Sequence, residues 1–179
     1  INRNNVDQLQ IAWRFDPEDA PAGVRYGKYE CNPVEIDGVI YATSGRRRVY
    51  AVDARTGTRI WGFDPFDGER GGGMCRGVTY WSEGNEARIL FTANHYLYAL
   101  DAKTGAIIQS FGTSGKVDLN QDLGVDPDSV WVKPTTPGII FKDLIILGSE
   151  VSESYDAAPG HIRAYSVKTG AMAWIFHTI

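Results

Sequence analysis

Three stretches of this chain repeat one pattern. Residues 51–61, 99–109 and 164–174 each read Ala-x-Asp-x-x-Thr-Gly-x-x-x-Trp, with Gln109 in place of the Trp in the second copy and Ser166 in place of the Asp in the third. The first two copies lie 48 residues apart (53 to 101) and the next two 65 apart (101 to 166). Recurrence at such a period marks a repeat architecture, and a unit of about 40 to 50 residues fits one propeller blade of four antiparallel strands.

Each part of the repeat has a physical task. The Asp side chain accepts backbone N–H groups in a tight turn, and the Gly supplies the positive φ that the turn needs. An alternating apolar strand leads in, as in Val49-Tyr50-Ala51-Val52 and Leu97-Tyr98-Ala99-Leu100. A second strand follows, ending in Trp61 or Trp174, whose ring would pack between blades while its indole N–H finds an acceptor. Unrelated hairpins sharing turn chemistry would not agree three times at Ala, Thr and Gly.

Composition agrees with an all-β chain: 12% aromatic residues, 20 Gly and 2 Met, with Val, Ile, Thr and Tyr in short runs. A net charge of −4 carries no basic footprint for nucleic acid. No apolar run approaches the ~20 residues of a membrane-spanning helix. The chain opens on Ile1 and shows no signal peptide, so a processed protein or an excised piece is expected. Closing a propeller takes about 4 to 8 blades, and three repeats supply three at most. The expected organisation is therefore one partial propeller domain over residues 1–179, belonging to a longer chain or, alternatively, completing its ring by oligomerisation. Cys31 and Cys75 leave a single bridge and two free thiols equally open.

Along the chain, the odd-even apolar spacing toward the end of residues 1–15 predicts a lone strand, and 16–27 a loop rich in Pro, Ala and Gly. Residues 33–42 read as a hairpin turning at Asp37-Gly38, a type I′ signal. A glycine-rich connection at 68–77 leads into Val78-Thr79-Tyr80-Trp81. The next hairpin turns at Asn94-His95, residues 111–131 read as an excursion between blades, and 139–147 read as two short strands around Lys142-Asp143. Arg46-Arg47-Arg48 reads as a solvated turn.

General catalytic signatures are missing: no Gly-x-Ser-x-Gly elbow, no His-Glu-x-x-His, no nucleotide or phosphate loop. His95, His161 and His177 are scattered and suggest no zinc site. The repeat is accompanied in order by Tyr29-Glu30-Cys31-Asn32-Pro33, by Cys75-Arg76-Gly77-Val78-Thr79-Tyr80-Trp81, by the segment from Phe111 to Leu119, and by Gly160-His161-Ile162-Arg163-Ala164-Tyr165. With these the chain resembles, over its whole length, the pyrroloquinoline-quinone (PQQ)-dependent alcohol and sugar dehydrogenases, eight-bladed quinoproteins, and their glucose-dehydrogenase-like branch above all. The repeat is similar to their tryptophan docking motif.

The resemblance implies a cofactor site on one face of the ring. Glu30 matches the glutamate that hydrogen-bonds the cofactor edge. Arg76 matches the arginine pairing with a cofactor carboxylate, a task suited to its planar fork. Thr135 matches a cofactor-binding threonine, with Thr136 beside it as an alternative. Glu153 matches the glutamate that ligates calcium, with Glu150 as a competitor in the same loop; a hard cation wants such oxygen donors. The resemblance further implies calcium polarising the quinone, a carboxylate base taking the hydroxyl proton, and hydride moving to the quinone.

Two departures from the family pattern stand out. Methanol-type members carry adjacent cysteines over the cofactor, whereas this chain has Arg70-Gly71-Gly72-Gly73-Met74-Cys75, so backbone and Met74 are expected to cover the quinone instead. The family's general-base Asp, calcium-binding Asn and stacking Trp come from blades after Ile179, so no catalytic base is expected here and the segment alone is expected to be inactive. The resemblance also implies an alcohol or sugar substrate, a quinone or cytochrome electron acceptor, a periplasmic location, and membrane contact only through segments outside this chain. The alternative function is a non-catalytic propeller that binds proteins as a scaffold.

Overall fold

The computed structural model describes residues 1–19, 29–69, 71 and 74–178. They contain twelve strands in three separate four-stranded antiparallel sheets and no α-helix. The first sheet holds β1 (Val34–Ile36), β2 (Val39–Thr43), β3 (Val49–Asp53) and β4 (Arg59–Phe63), each strand beside the next in sequence. The second holds β5 (Thr79–Glu83), β6 (Glu86–Ala93), β7 (Tyr96–Asp101) and β8 (Lys116–Asp118). The third holds β9 (Ile139–Phe141), β10 (Leu144–Leu147), β11 (Ile162–Ser166) and β12 (Met172–Phe176). These are the antiparallel blades that the repeat predicts.

The turns form as the repeat chemistry requires. Asp53 Oδ1 accepts from the N–H groups of Arg55 and Thr56 and from the Thr56 hydroxyl, at 3.0, 2.8 and 2.9 Å. Asp101 does the same for Lys103 and Thr104. In the third copy the Ser166 hydroxyl accepts from Lys168 N and Thr169 N, both at 3.2 Å, so serine fills the aspartate's place with a neutral acceptor. Gly57, Gly105 and Gly170 close the three turns at φ 73°, 71° and 75°. At the other predicted turn, Asp37 and Gly38 both take positive φ, 50° and 83°, as a type I′ hairpin needs.

Side-chain alternation sorts the blades into a stack. Tyr41, Val49, Ala51 and Trp61 of the first sheet pack against Ile89, Phe91, Ala93, Tyr98 and Leu100 of the second. The opposite face of that second sheet (Trp81, Leu90, Leu97 and Ala99) packs against Ile145, Leu147 and Tyr165 of the third. The middle sheet is therefore buried on both faces, which is why β6 and β7 read as nearly continuous apolar runs.

The two inter-blade seams are fastened differently. Trp61 Nε1 donates to the carbonyl of Ala102 at 3.0 Å, the residue after Asp101 of the neighbouring repeat. Trp13 Nε1 donates likewise to Ala54, the residue after Asp53. Where Gln109 replaces the tryptophan, Arg88 donates from Nη1 to the carbonyls of Val167 (2.9 Å), the residue after Ser166, and Lys168 (2.7 Å). A guanidinium thus supplies the N–H that the absent indole would have given.

Three expectations need correction. Residues 1–15 form no strand: a 3-10 helix covers Val6–Gln8, and the rest of the segment joins none of the three sheets. Residues 111–131 are not wholly an excursion, because β8, the fourth strand of the second blade, lies within them. After the second repeat's turn the chain makes only the isolated bridge Leu100–Ile107, and the pairing partner of β7 arrives later, behind the fully buried Phe111. The arginine run is not a solvated turn. Arg47 is fully buried with φ 61°, its Nη2 donating to the Met74 carbonyl. Arg48 pairs with Asp64 at 2.6 Å and reaches the Asp19 carbonyl. Most of the expected 16–27 loop, with residues 70, 72 and 73 of the glycine-rich connection, lies outside the described residues.

Candidate functional site

Antiparallel order decides which loops meet. The first strand of every blade starts, the second ends, the third starts and the fourth ends at one common end of the stack. A parallel bridge between Asn32 and Gly77 shows that the first two blades run in the same sense. To this end belong the segments entering β1, β5 and β9, the β2–β3 and β10–β11 connections, and the β6–β7 hairpin. All four site residues expected from the sequence, Glu30, Arg76, Thr135 and Glu153, therefore lie at that end. The repeat turns sit at the other.

Three of them come together. Arg76 Nε lies 3.5 Å from Glu30 Oε2, and Arg76 Nη1 donates to Thr135 Oγ1 at 3.2 Å. The Arg76 and Glu30 side chains keep 41% and 30% of their exposure, so the cluster is open to a ligand. Thr136, the alternative to Thr135, is exposed and makes no such bond.

The backbone explains this convergence. Asn32 N donates to the Arg76 carbonyl at 2.9 Å and Arg76 N donates to the Thr135 carbonyl at 3.0 Å, so the chain entering each blade donates to the chain entering the next. Pro134 and Pro137 lack an N–H for a ladder, and their carbonyls are held instead by the hydroxyls of Thr92 (3.1 Å) and Thr79 (2.8 Å). The result is a row of three segments presenting Glu30, Arg76 and Thr135 side by side.

Glu153 is not part of that cluster. It lies exposed in the β10–β11 connection, with no hydrogen bond or ion pair to Glu30, Arg76 or Thr135. Its competitor Glu150 is tied by its backbone to Lys133, at 2.9 and 3.0 Å, and is also exposed. Among the described residues no three His, Cys, Asp or Glu side chains gather as a metal set. Any cation at Glu153 would need donors from elsewhere. Cys31 and Cys75 carry free thiols.

Though scattered along the sequence, two of the histidines meet. His161 Nε2 and His177 Nδ1 are 3.0 Å apart across the start of β11 and the end of β12, and Thr178 N donates to His161 Nδ1 at 3.4 Å. Burial first, then His177 and Arg163, push the His161 imidazole below its usual range. The signal was available only in topology, since residues 161 and 177 flank paired strands.

With the geometry in view, similarity to known proteins takes on structural meaning. Residues 1–179 match the PQQ family described as glucose/ethanol/alcohol dehydrogenase, beta-propeller domain. The chain belongs to the PQQ dehydrogenase family. Among its quinoprotein relatives, the alcohol dehydrogenase (quinone) dehydrogenase subunit of Gluconacetobacter polyoxogenes is 34% identical over 100% of this chain and 23% of its own length. The quinoprotein glucose dehydrogenase of Gluconobacter oxydans is 31% identical over 98% of this chain and 24% of its own. The crystal structure of the quinohemoprotein alcohol dehydrogenase from Comamonas testosteroni superposes with a TM-score of 0.77 at 26% identity, covering 100% of this chain and 24% of that one. This PQQ-family chain thus spans about a quarter of the length of the relatives it matches. No helix among its described residues is long and apolar enough to cross a membrane.

Proposed function

We propose that this chain forms one wall of the cofactor site of a PQQ- and calcium-dependent dehydrogenase, which oxidises an alcohol or sugar hydroxyl by hydride transfer to the quinone. The observation that carries the reading is the half-exposed guanidinium of Arg76, held between Glu30 and Thr135 at the end of the stack where the blade-entry segments converge. The donor set fits a polycarboxylated quinone. Arg76 offers a planar fork to a carboxylate, Glu30 accepts a hydrogen bond from a ring N–H, and the Thr135 hydroxyl donates to an oxygen. PQQ, when bound, supplies an electrophilic quinone that accepts the hydride.

In this reading the protein's own residues bind and orient. Arg76 trades part of its internal pairing with Glu30 for the ligand's carboxylate, which leaves Glu30 free for its own contact. Glu153, exposed in the β10–β11 connection, is offered as one oxygen donor for calcium, the remaining donors coming from outside this segment. The general base also lies outside it. The electron acceptor is proposed to be a quinone or cytochrome and the location periplasmic, in keeping with the quinone-linked relatives.

The test is a titration of the longer protein carrying this segment with PQQ, followed by fluorescence quenching. Arg76→Ala is expected to weaken PQQ binding by about 10- to 100-fold, the worth of a hydrogen bond to a charged group, with Arg76→Lys recovering only part of it. Unchanged affinity in Arg76→Ala overturns the assignment. Glu153→Gln is expected to raise the calcium concentration needed for activity while leaving PQQ binding without calcium unaltered.

A further inference from the structure

Behind the Glu30–Arg76 pair lie the two cysteines, each the covalent neighbour of one of those residues. The segments that carry them run side by side: Asn32 N donates to the Arg76 carbonyl at 2.9 Å, and Asn32 pairs with Gly77 in a parallel bridge. Adjacent strands lie about 4.8 Å apart, so the two Cα atoms are within about the span of a disulfide; a one-residue stagger turns side chains to opposite faces of a regular ladder, but Gly77 at φ 132° makes this stretch irregular. Thr43, at the end of β2, touches both cysteines. Its N–H donates to Cys31 Sγ at 3.1 Å and its hydroxyl donates to the Cys75 carbonyl at 3.4 Å, while the Cys75 thiol itself donates to the Gly77 and Thr92 carbonyls at 3.5 and 3.8 Å.

Arg47 is fully buried, and its Nε and Nη1 have no hydrogen-bond partner among the described residues. Its Nη2 bonds the carbonyl of Met74, next to Cys75, so an orphaned cation sits beside that sulfur. A guanidinium cannot shed its charge, and an uncompensated buried charge is costly. The Glu150 carboxylate and Cys75, when ionised, are the anions within its reach; burial holds the Cys75 thiol up, and Arg47 works against that.

We propose that Cys31 and Cys75 are a redox-active pair, converted by a disulfide-bearing oxidant into an intramolecular bridge that fastens the Glu30 segment to the Arg76 segment. Cys31, the more exposed thiol, attacks first. Its thiolate displaces one sulfur of the oxidant's disulfide and forms a mixed disulfide with the other. Cys75 then loses its proton to solvent, Arg47 stabilising the thiolate. It attacks the Cys31 sulfur and expels the second thiolate of the oxidant. One S–S bond forms in the protein as one breaks in the oxidant, which leaves as two thiols.

The effect on the site rests on the PQQ reading above; the bridge itself does not. In the experiment, the longer protein is equilibrated over a range of glutathione and glutathione-disulfide ratios, alkylated, and mapped by peptide mass. The expected result is a joined peptide pair containing Cys31 and Cys75, and a thermal midpoint raised by several degrees in the bridged form. Closing a loop of roughly 45 residues restricts the unfolded chain. Cys31→Ser and Cys75→Ser each abolish both effects. Two alkylated thiols at every ratio, or a glutathione adduct on Cys31 that never resolves, overturns the pair. PQQ is then titrated into the oxidised and reduced forms by fluorescence quenching. The bridged form is expected to bind about fivefold tighter through preorganisation. Equal affinity in the two forms overturns the fastening role, whereas failure of both forms to bind PQQ overturns the cofactor reading and leaves the bridge standing.

Discussion

At the scale of single residues, the repeat is a set of backbone requirements met by particular side chains. A Cβ on Gly105 would come within 2.6 Å of the Trp61 ring, on a backbone held at φ 71°. Gly38 has φ 83° but nothing within 4 Å. Gly105→Ala combines overpacking with left-handed strain and is expected to cost about 2–4 kcal/mol, whereas Gly38→Ala carries the strain alone, about 1 kcal/mol. Paired denaturant melts of the two variants check the difference. The Asp53 carboxyl sits below its usual range, chiefly through the Thr56 N–H and then the Thr56 hydroxyl. A depressed carboxyl stabilises the fold above its unfolded value of about 3.9, and that contribution is lost as pH falls through the lower folded value. Asp53→Asn is therefore expected to flatten the fall in thermal midpoint below about pH 4, as a pH series of melts would record. The third repeat, with Ser166 in that place, contributes no such dependence.

At the scale of strands and seams, the same fastening job is done by different chemistry. Trp61 closes the seam between the first two blades with one indole bond, while Arg88 closes the next with two bonds to carbonyls. Lys168 adds ion pairs to Glu83 at 2.6 Å and Asp143 at 3.1 Å at the same edge. Removing Arg88 leaves the Val167 and Lys168 carbonyls short of a donor in a mostly dry seam. Arg88→Met is expected to destabilise by about 2–3 kcal/mol, measured by denaturant unfolding, and Lys168→Met by far less, since its partners are largely exposed. The hairpins and the Asp-x-x-Thr-Gly turns were legible in the sequence because their determinants are local: Asp37-Gly38, Asn94-His95 and Lys142-Asp143 each mark a turn that forms. β8 was not legible. Its place as a fourth strand depends on β7 being free to pair where the second repeat's own outer segment has peeled away, and Gln109 announces the missing tryptophan without saying what replaces it.

At the scale of the molecule, three blades leave two flanks. On the first sheet, Ile40, Ala42, Tyr50 and Val52 line an open cavity of about 760 Å³ together with Trp13 and Phe15. On the third sheet, Ile139, Phe141, Trp174 and Phe176 are exposed, at 72%, 59%, 40% and 61%. Apolar sheet faces of this kind call for further sheets. The segment 1–179 expressed alone is therefore expected to self-associate in light scattering, and to show no dye-linked oxidation of alcohols or sugars. A monodisperse, active 1–179 would contradict the proposal that this is one portion of a longer ring.

The sequence by itself determined the blade as the building unit, its turns and its alternating strands, because these arise from residues within a few positions of one another. It also named Glu30, Arg76 and Thr135 as a set, through likeness to a family. Only the tertiary structure decided that these three touch while Glu153 stands apart, that Arg47 is buried rather than solvated, that the two cysteine-bearing segments run side by side, and that two histidines find each other. Those facts depend on how three antiparallel sheets stack in the same sense, which brings positions scores of residues apart to one end. No local spacing encodes that alignment; the packing of apolar faces imposes it.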